Sequence, residues 1–270
     1  MRTLLLRLEG PLQSWGTDRV IVDNRGTELM PTKSGVIGLI GAALGRKRAD
    51  DFSDLAACRY GVREDQHGKI ITDFQTAATM TDANKKNSGT FVIDQNRKDL
   101  SYVVATSLYF DADRFQNAFN NVTHRRYLSD ASFVAGLEGD DELIQKAVLA
   151  IRHPSFPLCL GRRSCVPSKP ILIDVSDENL EDALEHAEIS DGLKNALRRA
   201  DRYAKTDERP KKTLRIWYEP KDLSKARGMI HDAPISFRQE KRLYGWRWYC
   251  ERRIAIETEV NNDIHDKDHT

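Results

Sequence analysis

Four glycines, Gly35, Gly38, Gly41 and Gly45, recur at three- and four-residue spacing inside the run MPTKSGVIGLIGAALGR, residues 30–46. That spacing aligns Gly38, Gly41, Ala42 and Gly45 into one smooth stripe on a helix. Each glycine costs a helix about 1 kcal/mol relative to alanine. The stripe therefore predicts a close neighbour, and packing against a sheet is its expected use. The run is far too short to span a bilayer. Lys33 and Ser34 stand before the first glycine, so the phosphate-loop order, with lysine after the second glycine, is absent. A dinucleotide G-x-G-x-x-G is absent as well. The start PTKSG remains open to two readings. One is a plain cap by Thr32 or Ser34. The other is an anion site where backbone N–H groups, hydroxyls and Lys33 meet a phosphate.

The flanking pattern sets the fold class. TLLLRLEG reads as an opening strand ended by Gly-Pro. DDFSDLAACRYG reads as a short helix entering a strand near Tyr60, and KIITDFQTAATM as a further strand. GTFVI and SYVVATSLYF read as a strand pair inside a polar stretch. DASFVAGLEG is a strand, DDELIQKAVLAIRHP an amphipathic helix stopped by proline, and ILIDV a strand after a loop. Strand, helix, strand, excursion, strand, helix, strand is a βαββαβ, ferredoxin-like order over residues 1–175. Residues 174–191 hold eight acids and no Lys or Arg, and a basic block follows. These blocks predict an exposed, charged helical insertion over 176–212. TLRIWYEP and YGWRWYCERRIAIETEV predict a small β-rich C-terminal module over 213–260. NNDIHDKDHT, 261–270, reads as a disordered tail.

The net charge of +1 gives no global attraction for nucleic acid, so any anion site must be local. Cys58, Cys159, Cys165 and Cys250 contain no C-x-x-C pair, which argues against a zinc site or a disulfide framework and for reduced thiols. MRTLLLRLEG is too short and too charged for a secretory signal, so the expectation is a cytoplasmic protein without a membrane segment. Three stretches carry recognition chemistry. In GPLQSWG, Gln13 is placed to read a base edge and Trp15 to stack on one, unless Trp15 anchors the core. THRRYLSD groups His124, Arg125, Arg126 and Tyr127, either a solvated charge run or an RNA contact. In LGRRSC, Arg162 and Arg163 follow a glycine that allows a tight turn, and their planar forks suit phosphates.

Taken together, LLLRLEGPLQSWG, MPTKSGVIGLIGAALG, RRYLSDASFVAGL, CLGRRSC and FRQEKRLYGWRWY, in order between Thr3 and Tyr249, resemble the CasD family, the fifth-family CRISPR-associated subunit of the type I-E Cascade complex. The resemblance implies an α+β, ferredoxin-like (RRM-like, RAMP) domain with a β-hairpin thumb inserted at about 81–122. It implies a non-catalytic subunit that clamps the 5′ handle of the crRNA in antiviral defence. Its implied partners are that handle, the backbone and large subunits of Cascade, and target DNA through the assembly, with no cofactor and no metal. On this reading Lys33, Arg126, Arg162 and Arg163 take phosphates, with Ser34 and Arg125 beside them, while Gln13, Trp15 and Tyr127 read or stack bases. Two alternatives stand beside it. One is a metal-independent endoribonuclease using His124, Tyr127 and Lys33 as base, acid and cation. The other is a stand-alone single-stranded RNA-binding module.

Overall fold

Leu4, Leu5, Leu6 and Leu8 are all buried, so the first strand is apolar on both faces and must be covered on both. The computed structural model describes residues 1–16, 24–80, 118–202, 211–238 and 242–257. The strand pair expected at GTFVI and SYVVATSLYF, most of the thumb expected at about 81–122, and the tail 261–270 lie outside these residues. In chain order the elements are β1 (Arg2–Glu9), β2 (Leu12–Gln13), β3 (Asn24–Arg25), α1 (Lys33–Ala43), α2 (Ser53–Ala57), β4 (Arg59–Gln66), β5 (Lys69–Met80), β6 (Ala118–Ser129) and β7 (Ser132–Gly139). Then come α3 (Asp141–Arg152), β8 (Leu172–Ser176), α4 (Leu180–His186), α5 (Asp191–Arg202), β9 (Lys211–Tyr218), β10 (Gly228–Ser236) and β11 (Leu243–Glu257). The chain is α+β, and no described helix is long and apolar enough to cross a membrane.

Two units divide the chain: residues 1–19, 26–71 and 126–270 form the first, and 20–25 with 72–125 the second. The first unit carries a seven-stranded sheet in the order β10-β11-β9-β4-β7-β1-β8. Every neighbouring pair in it is antiparallel. On one face, Leu4, Leu6, Leu8, Tyr60, Phe133 and Leu137 meet Val36, Ile37 and Ile40 of α1 and Ile144, Val148 and Ile151 of α3. The spacing of Ile144, Ala147, Val148 and Ile151 gives α3 its buried stripe, and Asp140 caps it by accepting from the Glu142 N–H at 3.0 Å. In the second unit β3 runs parallel to β6, pairing Asn24 with His124 and Arg25 with Arg125, and β5 also pairs β6.

Three expectations are corrected. The charged segment 176–212 is not a solvated excursion. Leu180 and Leu184 of α4 and Leu193 and Leu197 of α5 cover the second face of the sheet, against Leu5, Val134, Leu214, Ile216 and Ile254. Its acids and bases sit on the outward side of amphipathic helices, which is why composition alone reads as exposed. The C-terminal strands are not a separate module over 213–260, because β9 pairs β4 directly and extends the main sheet. The glycine stripe does not face the sheet. A Cβ on Gly41 would overlap the Phe52 ring, while one on Gly38 would meet nothing within 4 Å.

A buried ion pair fastens the second layer. Arg63 and Asp65 on β4 are both fully buried, with Arg63 Nε 2.7 Å from Asp65 Oδ1. Arg63 also donates to the carbonyls of Leu184 and Ala187, both at 2.7 Å, at the C-terminal end of α4. Asp65 accepts from the Ser190 N–H at 2.8 Å, just before α5. A cation at one helix end and an anion at the next helix start match the helix dipoles.

Candidate nucleic-acid interface

The loop Leu160–Cys165 is closed by hydrogen bonds from Leu160 N to Cys165 O at 2.8 Å and from Cys165 N to Arg162 O at 2.9 Å. Gly161 has φ of +92°, in the left-handed region, and a Cβ there would overlap the carbonyl oxygen of Ser14. The Ser14 N–H in turn donates to Leu160 O at 3.0 Å. The GPLQSWG and CLGRRSC segments are thus packed backbone against backbone. The third glycine-bearing segment joins them at Trp15, because a Cβ on Gly35 would lie 2.8 Å from the indole.

Arg162 lies across the Tyr127 ring, its guanidinium carbon 4.6 Å from the centroid. It donates to Arg126 O at 3.0 Å and to Gly26 O at 3.2 Å. Arg162 therefore braces the end of β6 and the approach to α1. Arg163 and Arg126 are exposed, and neither side chain makes a hydrogen bond or ion pair among the described residues. Through Arg162, 36 residues further along the chain, the backbone at Arg126 is tied to the loop that carries Arg163. Arg125 lies on the second unit.

The structure corrects the roles expected of four residues. Gln13 is fully buried: its amide donates to Leu8 O at 2.9 Å and Ala131 O at 2.8 Å, and its oxygen accepts from the Trp15 indole at 3.0 Å. Trp15 is fully buried as well, so neither side chain offers a surface to a base. Tyr127 is only 5% exposed and lies beneath Arg162. Lys33 is also buried, with Nζ 2.9 Å and 3.1 Å from the two oxygens of Glu219.

The start of α1 carries a cap and an internal anion. Thr32 Oγ1 accepts from the Gly35 N–H at 3.2 Å, and Asp232 Oδ2 accepts from the Lys33 N–H at 2.8 Å. Ser34 is half-buried, its hydroxyl 3.4 Å from Thr32 Oγ1. Asp232 is held in turn by Arg247, whose guanidinium lies 5.1 Å from the Tyr60 ring centroid. Burial pushes the Tyr60 phenol well above its ordinary value, and its O–H donates to Pro31 O at 2.8 Å. The protein's own carboxylates satisfy the helix end and the lysine, so the anion site expected at PTKSG is filled from within. Asp232, Glu219 and Arg247 carried no local sequence signal, since each lies about two hundred residues from α1.

The family described as CRISPR-associated protein (Cas_Cas5) matches residues 3–250. CRISPR system Cascade subunit CasD of Escherichia coli (strain K12) is 30% identical over 177 residues, spanning 63% of this chain and 69% of that protein. A solved structure described as "Crystal structure of Cas protein" aligns with a TM-score of 0.58 and 31% identity, covering 94% of this chain and 95% of the other. A chain from "CRISPR RNA-guided surveillance complex" aligns with a TM-score of 0.63 over 94% of this chain and 91% of its own length; at 24% identity this likeness concerns the fold. With the motifs CLGRRSC and GPLQSWG locked together and the match running almost end to end, the chain belongs to the Cas5 family of CRISPR-associated proteins.

Proposed function

We propose that this chain is a non-catalytic subunit of a CRISPR Cascade surveillance complex that holds the 5′ handle of the guide RNA. The observation that carries the RNA contact is the brace of Arg162 on the Tyr127 ring and the Arg126 carbonyl, with Arg163 and Arg126 both exposed beside it in sequence. Two exposed guanidiniums offer bidentate contacts to successive phosphates of a single strand. The strand order β8-β1-β7-β4, with α1 and α3 as the crossovers, supports a ferredoxin-like RAMP domain. Membership of the family and the likeness to Escherichia coli CasD support assembly with other Cascade subunits.

A binding role is also supported by burial. Cleavage of RNA without metal needs a base, an acid and a cation presented to one phosphate. Lys33 is consumed in its ion pair with Glu219, and Tyr127 is covered. The test is a titration of the purified chain with handle RNA in EDTA, followed on a gel and by filter retention. Tight binding of intact RNA, weakened in Arg126→Ala/Arg163→Ala, is the expected result. Specific cleavage of the RNA, or unchanged binding by that double variant, overturns the reading.

A further inference from the structure

Trp246 and Trp248 are 64% and 44% exposed, on a strand whose intervening residue, Arg247, is buried. Side chains alternate across a strand, so the two indoles share one face of β11. That face is the one on which Arg252 reaches Glu185 of α4 at 2.8 Å and Ile254 enters the second core. Among the described residues the α-helices stop there, and the short helical turn Leu223–Lys225 meets the same face at Cys250. From Trp248 outward the sheet face is bare. Met229, 43% exposed, pairs with Trp248 across the β10–β11 ladder, and His231 pairs with Trp246, their rings 4.9 Å apart.

The sequence around this strip is rich in base, although Lys221 and Arg252 are paired with Glu138 and Glu185 from elsewhere in the chain. Residues 221–253 hold nine Lys and Arg against four Asp and Glu, in a chain whose net charge is only +1. Of the described acids, Asp232 is used by Lys33 and Arg247, and Glu251 lies 3.2 Å from Arg253. Asp222 caps the turn at Ser224, accepting its N–H at 3.0 Å. Lys225 lies at one end of the strip, where its carbonyl accepts from the Cys250 thiol at 3.0 Å. Arg238 and Arg242 lie at the other, beyond Ser236 of β10 and before Leu243 of β11. The side chains of all three are exposed and make no hydrogen bond or ion pair among the described residues.

Flat π-faces in a row, with exposed cations at both ends, match a single strand of nucleic acid: bases stack on the indoles while phosphates meet the cations. We propose that the β10–β11 ribbon is a second single-stranded RNA contact, with Trp246 and Trp248 as the stacking platform and Lys225, Arg238 and Arg242 as phosphate contacts. This rests on the RNA-binding reading above but uses none of the residues assigned there.

Two of the four tryptophans, Trp15 and Trp217, are buried, so added RNA acts on the emission of the other two. The full chain is titrated with a single-stranded oligouridylate, reading tryptophan fluorescence and affinity together. The wild type should be quenched. Trp246→Phe/Trp248→Phe should keep its affinity within a few-fold and lose the quench. Trp246→Ala/Trp248→Ala should bind about tenfold more weakly, or worse, for each stack removed, with an unchanged melting temperature. RNA binding without quenching, or an alanine variant that binds like wild type, overturns the proposal. An alanine variant that keeps its RNA affinity but no longer co-purifies with co-expressed Cascade subunits also overturns it and assigns the strip to a protein. Arg126→Ala/Arg163→Ala, run in parallel, separates the two sites. Loss of binding there with none at the tryptophans sinks only the ribbon, and the reverse sinks only the arginine site.

Discussion

The indole N–H of Trp15 donates to the side-chain oxygen of Gln13 across 3.0 Å, and the amide nitrogen of the same Gln13 bridges Leu8 O and Ala131 O. One glutamine thereby ties β1, the β6–β7 connection and the core tryptophan together. Trp15→Phe leaves the Gln13 oxygen buried without its donor, which costs about 1–3 kcal/mol. The expected outcome is a lower melting temperature with unchanged RNA affinity for the folded fraction. A variant of wild-type stability with weakened RNA binding would restore a direct role for the indole.

Arg162 and Arg163 are neighbours with different work. Arg163→Ala should leave stability within about 0.5 kcal/mol of wild type. It should also reduce the salt slope of RNA binding by about 0.7, the value for one phosphate on a single strand. Arg162→Ala removes the cover of Tyr127 and the two carbonyl contacts, so it should lower the melting temperature as well. Salt titrations with a melting curve for each variant measure both quantities.

Gly161 is held in the left-handed region against Ser14. Gly161→Ala adds both backbone strain and an overlap with a carbonyl that cannot move freely. Each contributes on the order of 1–3 kcal/mol. Chemical denaturation should show a clear loss of stability. A mutant as stable as wild type would mean that the two segments part easily.

Asp65→Ala leaves Arg63 buried without its carboxylate and removes the acceptor for the Ser190 N–H. Losing one partner of a buried pair costs about 3–5 kcal/mol. Urea unfolding of this variant should be shifted far toward low denaturant, with proteolysis beginning between α4 and α5.

Burial pushes the Cys58 thiol up from its ordinary value of 9.0 to about 11. The folded state then keeps a proton that the unfolded state releases earlier. The stabilisation is complete below about pH 9 and is lost as pH rises toward 11. Burial raises Cys165 and Cys250 in the same direction. Iodoacetamide at pH 8 should therefore label partly exposed Cys159 first. Peptide mass spectrometry checks the order, and early modification of Cys58 would contradict its burial.

Elements with a strong local pattern were legible in the sequence. α1, α3, β1 and β7 fall where their periodicity and caps place them. The glycine before Arg162 was rightly read as a turn, here with positive φ. What stayed hidden depends on residues far apart. Gln13 and Trp15 look like base readers because composition does not reveal that β1, the β6–β7 connection and α1 bury them. Lys33 looks like a phosphate ligand because Glu219 lies 186 positions away. The acidic run at 174–191 hides the leucines that make it a covering layer, since charge on one side of a helix dominates the letter count.

The contact between Asp232 and the start of α1 spans 199 residues. Its meaning for biosynthesis differs from its meaning for the finished protein. A ribosome that has emitted α1, β4 and β7 has produced a helix whose first N–H lacks its anion and a β4 edge still waiting for β9. The edge closes only when β9, Lys211–Tyr218, emerges, and the helix start only when Asp232 does. The nascent chain must therefore carry an open strand edge and a buried-to-be lysine through most of its synthesis. Completion of the first helix in this sense waits on a residue 199 positions downstream, and a chain cut before Asp232 cannot finish the start of α1.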